Sequence, residues 1–89
     1  MRAVISVIGK DTVGILAKVA SICADNKINI VDVTQSVLQD MFVMVMLCEI
    51  DKMSCTLSDI SGTLSELGES MNLDIRVMHE DIFNSMHRI

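Results

Sequence analysis

The sequence predicts an α+β protein in which one four-stranded antiparallel sheet carries two helices on one face, with a short tail helix after it. Two stretches have apolar residues at helical spacing, and four have the alternation or the β-branched runs typical of strands. Along the chain these elements follow the order βαββαβ. Because crossover connections are right-handed, this order predicts a ferredoxin-like sandwich.

The first strand and the first helix are joined by a short turn that contains glycine. Residues Arg2 to Ile8 are mostly apolar and bounded by Gly9, which predicts a strand. A helix is predicted from Val13 or Gly14 to about Asn26. Its apolar stripe consists of Ile15, Val19 and Ile22, with Leu16, Ala20 and Cys23 beside it.

Capping residues are expected at both helices. Asp11 and Thr12 precede the first helix as possible N-caps, and Asn26 is expected to end it in a left-handed conformation. Before the second helix, Thr56 is followed three residues later by Asp59, and this spacing predicts a capping box.

The second and third strands are predicted to form a hairpin. The second covers Ile28 to Leu38, and a change of apolar phase between Ile30 and Val31 predicts a bulge. Gln39-Asp40 is the predicted tight turn. The third strand, Met41 to Ile50, is apolar on both faces, which indicates a central strand covered on both sides. Since the helices cover only one face, a partner subunit or the tail helix is expected on the other.

The second helix is predicted from Thr56 to about Asn72, with an apolar stripe of Leu57, Ile60, Leu64, Leu67 and Met71. Gly62 and Gly68 are expected to weaken it by roughly 1 kcal/mol each relative to alanine. Leu73 to Met78 alternates and predicts the fourth strand. The tail from His79 to Ile89 is predicted to form the short last helix.

Composition excludes several classes of function. A formal net charge of −5 argues against nucleic acid and anionic membranes as partners, because both require a basic surface. No apolar run approaches the roughly 18 residues of a membrane-spanning helix, and no signal peptide is visible. Cys23, Cys48 and Cys55 have no disulfide-framework spacing, so a cytoplasmic location is expected. The 51% hydrophobic content suggests self-association, most simply a homodimer.

Two segments resemble a known family. Gly9 to Leu16, followed by Asn29-Ile30, is similar to the opening of an ACT domain, a small amino-acid-binding regulatory module with the order βαββαβ. The tail motifs His79 to Phe83 and Met86 to Ile89 resemble the ends of small stand-alone ACT proteins related to the glycine-cleavage-system regulator. The resemblance covers the whole chain.

The resemblance implies that residues 1–89 form one ACT domain, with 79–89 as its C-terminal tail. It also implies an amino-acid ligand near the first turn, often where two subunits meet, and a regulatory protein as a further partner. Asp11, Gly14 and Asn29 match the family's ligand-contacting positions, whereas Gly9 stands where some members carry histidine.

The chemistry of these residues agrees with an amino-acid ligand. Asp11 and the side-chain carbonyl of Asn29 can accept hydrogen bonds from an ammonium group. The backbone N–H groups of Val13, Gly14 and Ile15, at the start of the helix, can donate to a carboxylate. Structural roles are the alternatives: helix capping for Asp11, close packing for Gly14 and a turn for Asn29.

Other functions are weaker alternatives. No arrangement of nucleophile, base and orienting group is visible, so the sequence predicts neither an enzyme nor a cofactor. His79, Glu80 and His87 are candidate metal ligands, although their spacing matches no standard site, and they can equally pin the tail through hydrogen bonds. A third possibility is a protein-interaction module that uses the apolar sheet face and the tail without a small ligand.

Overall fold

A computed structural model of the protein describes residues 1–10 and 14–86. Its elements are β1 (Arg2–Gly9), α1 (Ile15–Asp25), β2 (Asn29–Leu38), β3 (Met41–Glu49), α2 (Leu57–Met71), β4 (Asp74–His79) and α3 (Glu80–Met86). The described strands form one antiparallel sheet in the order β2-β3-β1-β4, so the predicted βαββαβ fold is confirmed. No helix in the described segments combines the length and hydrophobicity that a membrane span requires.

The hydrophobic core lies between the two long helices and one face of the sheet. Alternate residues of the central strands point into it, including Ile5, Val7, Met44 and Met46, each at most 2% exposed. The helices contribute Ile15, Val19 and Cys23 from α1 and Ile60 and Leu64 from α2. Methionines fill the positions that aromatic residues occupy in many cores, because the chain has only two phenylalanines.

Both the turn and the bulge predicted for the β2–β3 hairpin are confirmed. The pairing of β2 with β3 shifts between Ile30 and Asp32, so Val31 is the extra residue of a bulge. Gln39 takes a left-handed conformation (φ 59°) in the turn that follows. β3 lies between β1 and β2, as its two apolar faces predict.

The capping box of α2 is also confirmed. The hydroxyl of Thr56 accepts a hydrogen bond of 3.1 Å from the backbone N–H of Asp59. The carboxylate of Asp59 accepts one of 3.3 Å from the backbone N–H of Thr56. These contacts satisfy two donors that the start of a helix otherwise leaves without a partner.

The caps predicted for α1 are wrong. The N-cap is Gly14, in a left-handed conformation (φ 75°) without a side-chain cap, so neither Asp11 nor Thr12 holds that position; both lie outside the described residues. At the other end Asn26 has φ −104°, and Lys27 takes the left-handed conformation instead (φ 57°). The Asn26 side chain donates a hydrogen bond of 2.9 Å to the backbone carbonyl of Ile22, one turn earlier, and this bond holds the Asn26 backbone near the helix.

The two glycines of α2 have opposite surroundings. A Cβ atom at Gly62 would meet no described atom within 4 Å outside the backbone of its own helix. A Cβ atom at Gly68 would lie 2.7 Å from the backbone oxygen of Leu73, because the chain leaves the helix directly beside it. Gly68 therefore permits a close approach of backbone to helix, a role that helix propensity does not reveal.

We expect Gly62→Ala to raise the free energy of unfolding by up to about 1 kcal/mol, because alanine is the better helix former. Gly68→Ala should lower it, because the added methyl group overlaps a backbone atom that cannot rotate away. Urea denaturation of both variants tests the difference. Changes of the same sign in the two variants would contradict this account.

Candidate functional site

The turn between β1 and α1, residues 10–14, is the first part of the candidate site. Gly14 is exposed, and among the described residues no atom beyond its chain neighbours and the adjoining helix backbone lies within 4 Å of the place where a side chain would begin. Ile15 is buried beneath it and anchors the first turn of α1 in the core. The N–H groups of a first helical turn have no partner within the helix, and they suit a carboxylate. Asp11 and Val13 lie outside the described residues.

Gly9 has a packing explanation. A Cβ atom at this position would overlap the side chain of Leu73, which is only 8% exposed. Leu73 precedes β4 and fills the space that a side chain at position 9 would need. A histidine there would therefore have to displace a core residue.

The β1–α1 turn lies at the same end of the sheet as the β2–β3 hairpin turn. Gly9 is paired with Phe42, the second residue of β3. Lys10 Nζ also lies 3.3 Å from a carboxylate oxygen of Asp40 in the hairpin turn, although both side chains are more than 70% exposed. An ion pair so open to water contributes little stability, but it locates the two turns beside each other.

Asn29 lies at the opposite end of the sheet. It is paired with Glu49, and Glu49 is paired with Arg2, at the start of β1. The length of β1 separates this position from Gly9 by about 23 Å at the usual rise of a strand. Within one protomer, Asn29 therefore does not lie beside Gly14 and Ile15.

Asn29 instead lines a cavity of about 270 Å³ rich in charged groups. The other lining residues are Lys27, Glu49, Asp51 and Lys52. The Asp51 carboxylate is occupied by the amino group of Met1, 2.7 Å away. Sequence reasoning missed Lys27, Glu49 and Lys52, although each lies close to the end of a strand that borders Asn29.

The candidate metal ligands of the tail have structural roles where they are described. His79 Nδ1 accepts a hydrogen bond of 3.1 Å from the backbone N–H of Asp81, at the start of α3. The Glu80 carboxylate binds Arg2 at two points, 2.6 Å from Nε and 3.1 Å from Nη2. Within residues 1–10 and 14–86, no three His, Cys, Asp or Glu side chains form a group that could hold a metal ion. His87 lies outside that part of the chain.

The cysteine thiols described in the core are packing groups. Cys23 and Cys48 are fully buried and lie in hydrogen-bond contact with each other. The hydrogen bond with Cys23, together with burial, raises the pKa of the Cys48 thiol. Cys48 therefore stays protonated and is a poor nucleophile.

Comparisons with known proteins agree with the fold. A family model described as the ACT domain matches residues 2–78. A UPF0237 protein of Methanococcus maripaludis is 44% identical over 88 residues, which cover 99% of this chain and 98% of that protein. A solved ACT domain protein from Streptococcus pneumoniae has a TM-score of 0.80 at 31% identity and 93% coverage of each chain.

A more distant structure shares the fold alone. The ligand-free regulatory subunit of aspartate kinase from Thermus thermophilus has a TM-score of 0.62 at 20% identity. The match covers 85% of this chain and 49% of that one.

Proposed function

Because the chain belongs to the ACT domain family, whose members are regulatory ligand-binding modules, we propose that it is an amino-acid sensor that acts as a homodimer. Its ligand site combines the β1–α1 turn of one protomer with Asn29 of the partner subunit. Binding of the amino acid would change the surface of the dimer, and a regulatory protein partner would recognise that change.

The observation that carries this proposal is the edge position of β2. β2 has β3 on one side and no strand of the described chain on the other. Val37 and Leu38, at its end, are 69% and 72% exposed. Pairing with a second β2 would satisfy the open backbone edge and cover these side chains.

The direction of that pairing is what unites the two parts of the site. In an antiparallel pair of β2 strands that overlap along their full length, Asn29 of the partner subunit would lie beside Leu38 of the first protomer. Leu38 leads directly into the hairpin turn, and Asp40 of that turn contacts Lys10 of the β1–α1 turn. The Asn29 cavity of one protomer would then border the β1–α1 turn of the other.

The chemical groups suit a zwitterion. The Asn29 amide and the Glu49 carboxylate accept hydrogen bonds, and Asp11 adds a second carboxylate from the turn. Lys27 and Lys52 are cations beside the same cavity. Together with the N–H groups at the start of α1, they provide donors for a carboxylate. An α-amino acid presents both charges within a volume that this cavity accommodates.

A thermal shift against the twenty amino acids tests the proposal. We expect one amino acid, or a few of related structure, to stabilise the protein by about 2.7 kcal/mol at a hundred times its Kd. Asn29→Ala should remove that shift. Asn84→Ala, which deletes the same amide from the exposed face of α3, is the matched control and should keep it. If none of the twenty amino acids stabilises the protein, the proposal is contradicted.

A further inference from the structure

The sheet has a second face, opposite the core, which we call the open face. Strand pairing assigns to it Val4, Ser6 and Ile8 of β1, Val43, Val45 and Leu47 of β3, and Asp74, Arg76 and Met78 of β4. Its centre is apolar, although neither α1 nor α2 covers it.

α3 covers one end of the open face. Val4 is only 3% exposed but does not belong to the main core cluster, because it lies on the other side of the sheet. Arg2 shares that side, and its two contacts with Glu80 hold the start of α3 against β1. The tail helix is thus one of the two covers expected from the sequence, and it leaves the far end of the open face unfilled.

The unfilled end is a cavity of about 410 Å³. Its floor includes Ile8, Val43 and Val45, and Phe83 of α3 bounds it. The β4 border is charged, with Asp74 and Arg76. A largely apolar cavity of this size with a few polar groups at one border is typical of small-molecule sites.

Arg76 is the cationic group at the border of this cavity. Its Nε lies 3.3 Å from both carboxylate oxygens of Asp74, so the other edge of the guanidinium, formed by Nη1 and Nη2, is not used by that pair. The side chain is 70% exposed. Two parallel donors on one edge match a carboxylate. The adjacent Asp74 carboxylate balances the single positive charge of Arg76, and the repulsion between that carboxylate and an anion is smaller for a monoanion than for a dianion.

We propose that this cavity binds a small amphipathic carboxylic acid. The carboxylate lies on the free edge of Arg76, and the hydrocarbon body packs on Ile8, Val43 and Val45. This site is separate from the proposed amino-acid site, because it uses none of the same residues and lies between β3 and β4, away from the β2 edge.

Titration of ¹⁵N-labelled protein with sodium hexanoate tests this proposal. We expect saturable shifts of the backbone amide signals of Ser6, Ile8, Val43 and Val45. Hexan-1-ol has the same hydrocarbon body without the carboxylate and should bind at least about tenfold more weakly, since a charge-assisted pair is lost.

Arg76→Gln should likewise weaken hexanoate binding at least about tenfold. Val45→Thr keeps the shape of the floor but adds a hydroxyl, so a loss of a few-fold is expected. Lys18→Gln removes one positive charge from α1, on the other side of the sheet, and should leave hexanoate affinity unchanged.

Three results would overturn the proposal. The first is the absence of saturable shifts on the open face, and the second is equal hexanoate affinity in Arg76→Gln and the unmodified protein. The third is a fall in oligomer mass on adding hexanoate in sedimentation equilibrium, because a second copy of the chain would then be the occupant. If no amino acid produces a thermal shift, the hexanoate results still stand. The thermal shift tests the amino-acid site at Gly14, Ile15 and Asn29, which is a different site.

Discussion

Mixing two variants that each fail to bind the amino acid, Asp11→Ala and Asn29→Ala, is expected to restore about a quarter of the binding sites. In the proposed dimer each site takes its turn from one protomer and Asn29 from the other. A mixed dimer therefore has one site with both substitutions and one site with neither. Random reassociation of equal amounts makes about half of the dimers mixed, with one intact site in each.

The measurement is isothermal titration after the two variants have been unfolded and refolded together, with the amino acid identified by thermal shift as the probe. Refolding Asp11→Ala with the double variant Asp11→Ala/Asn29→Ala is the control, since no combination of those chains contains an intact site. If native mass spectrometry detects mixed dimers while binding stays absent, the two residues do not share a site across subunits.

Leu64→Ala is expected to lower the free energy of unfolding by about 2–5 kcal/mol. Leu64 is fully buried where α2 packs on the sheet, so the substitution leaves a cavity lined by core residues. The whole stability of a small domain is about 5–15 kcal/mol, and the loss is therefore a large part of it. For a chain of this length each kcal/mol corresponds to about 4–8 °C in Tm.

Leu67→Ala is the matched comparison, because it removes the same atoms from the same helix at a half-buried position. Its loss should be clearly smaller, since less apolar surface returns to water. Urea denaturation measures both. Equal losses would mean that burial of α2 differs from the arrangement described.

Much of the fold follows from local rules. The two apolar faces of β3 require cover on both sides, and only a central strand receives it. The Thr56–Asp59 capping box can be predicted from two residues that are three positions apart. The bulge after Ile30 can be predicted from a change of apolar phase along the strand. The caps of α1 fail because the path by which the chain enters and leaves that helix depends on what it packs against. No short-range pattern contains that information.

The candidate site is less predictable because it depends on strand register. The sequence places Asn29 soon after α1, but the pairing of Arg2 with Glu49 and of Glu49 with Asn29 puts it at the far end of β1. Register is a tertiary property set by the whole sheet. For the same reason the charged neighbours of Asn29 that are distant in sequence, such as Glu49 and Lys52, become visible only in the folded chain.

The overlap between position 9 and Leu73 has a consequence for how such a protein can acquire a new ligand. Residues 64 positions apart in the sequence compete for one volume, so a side chain at position 9 requires the end of the Leu73 side chain to move or to be replaced by a smaller one. A side chain that reaches toward a ligand from position 9 would have to arrive together with a smaller residue at position 73. Selectivity at the turn is thereby coupled to the packing of β4, and the two positions are expected to change as a pair.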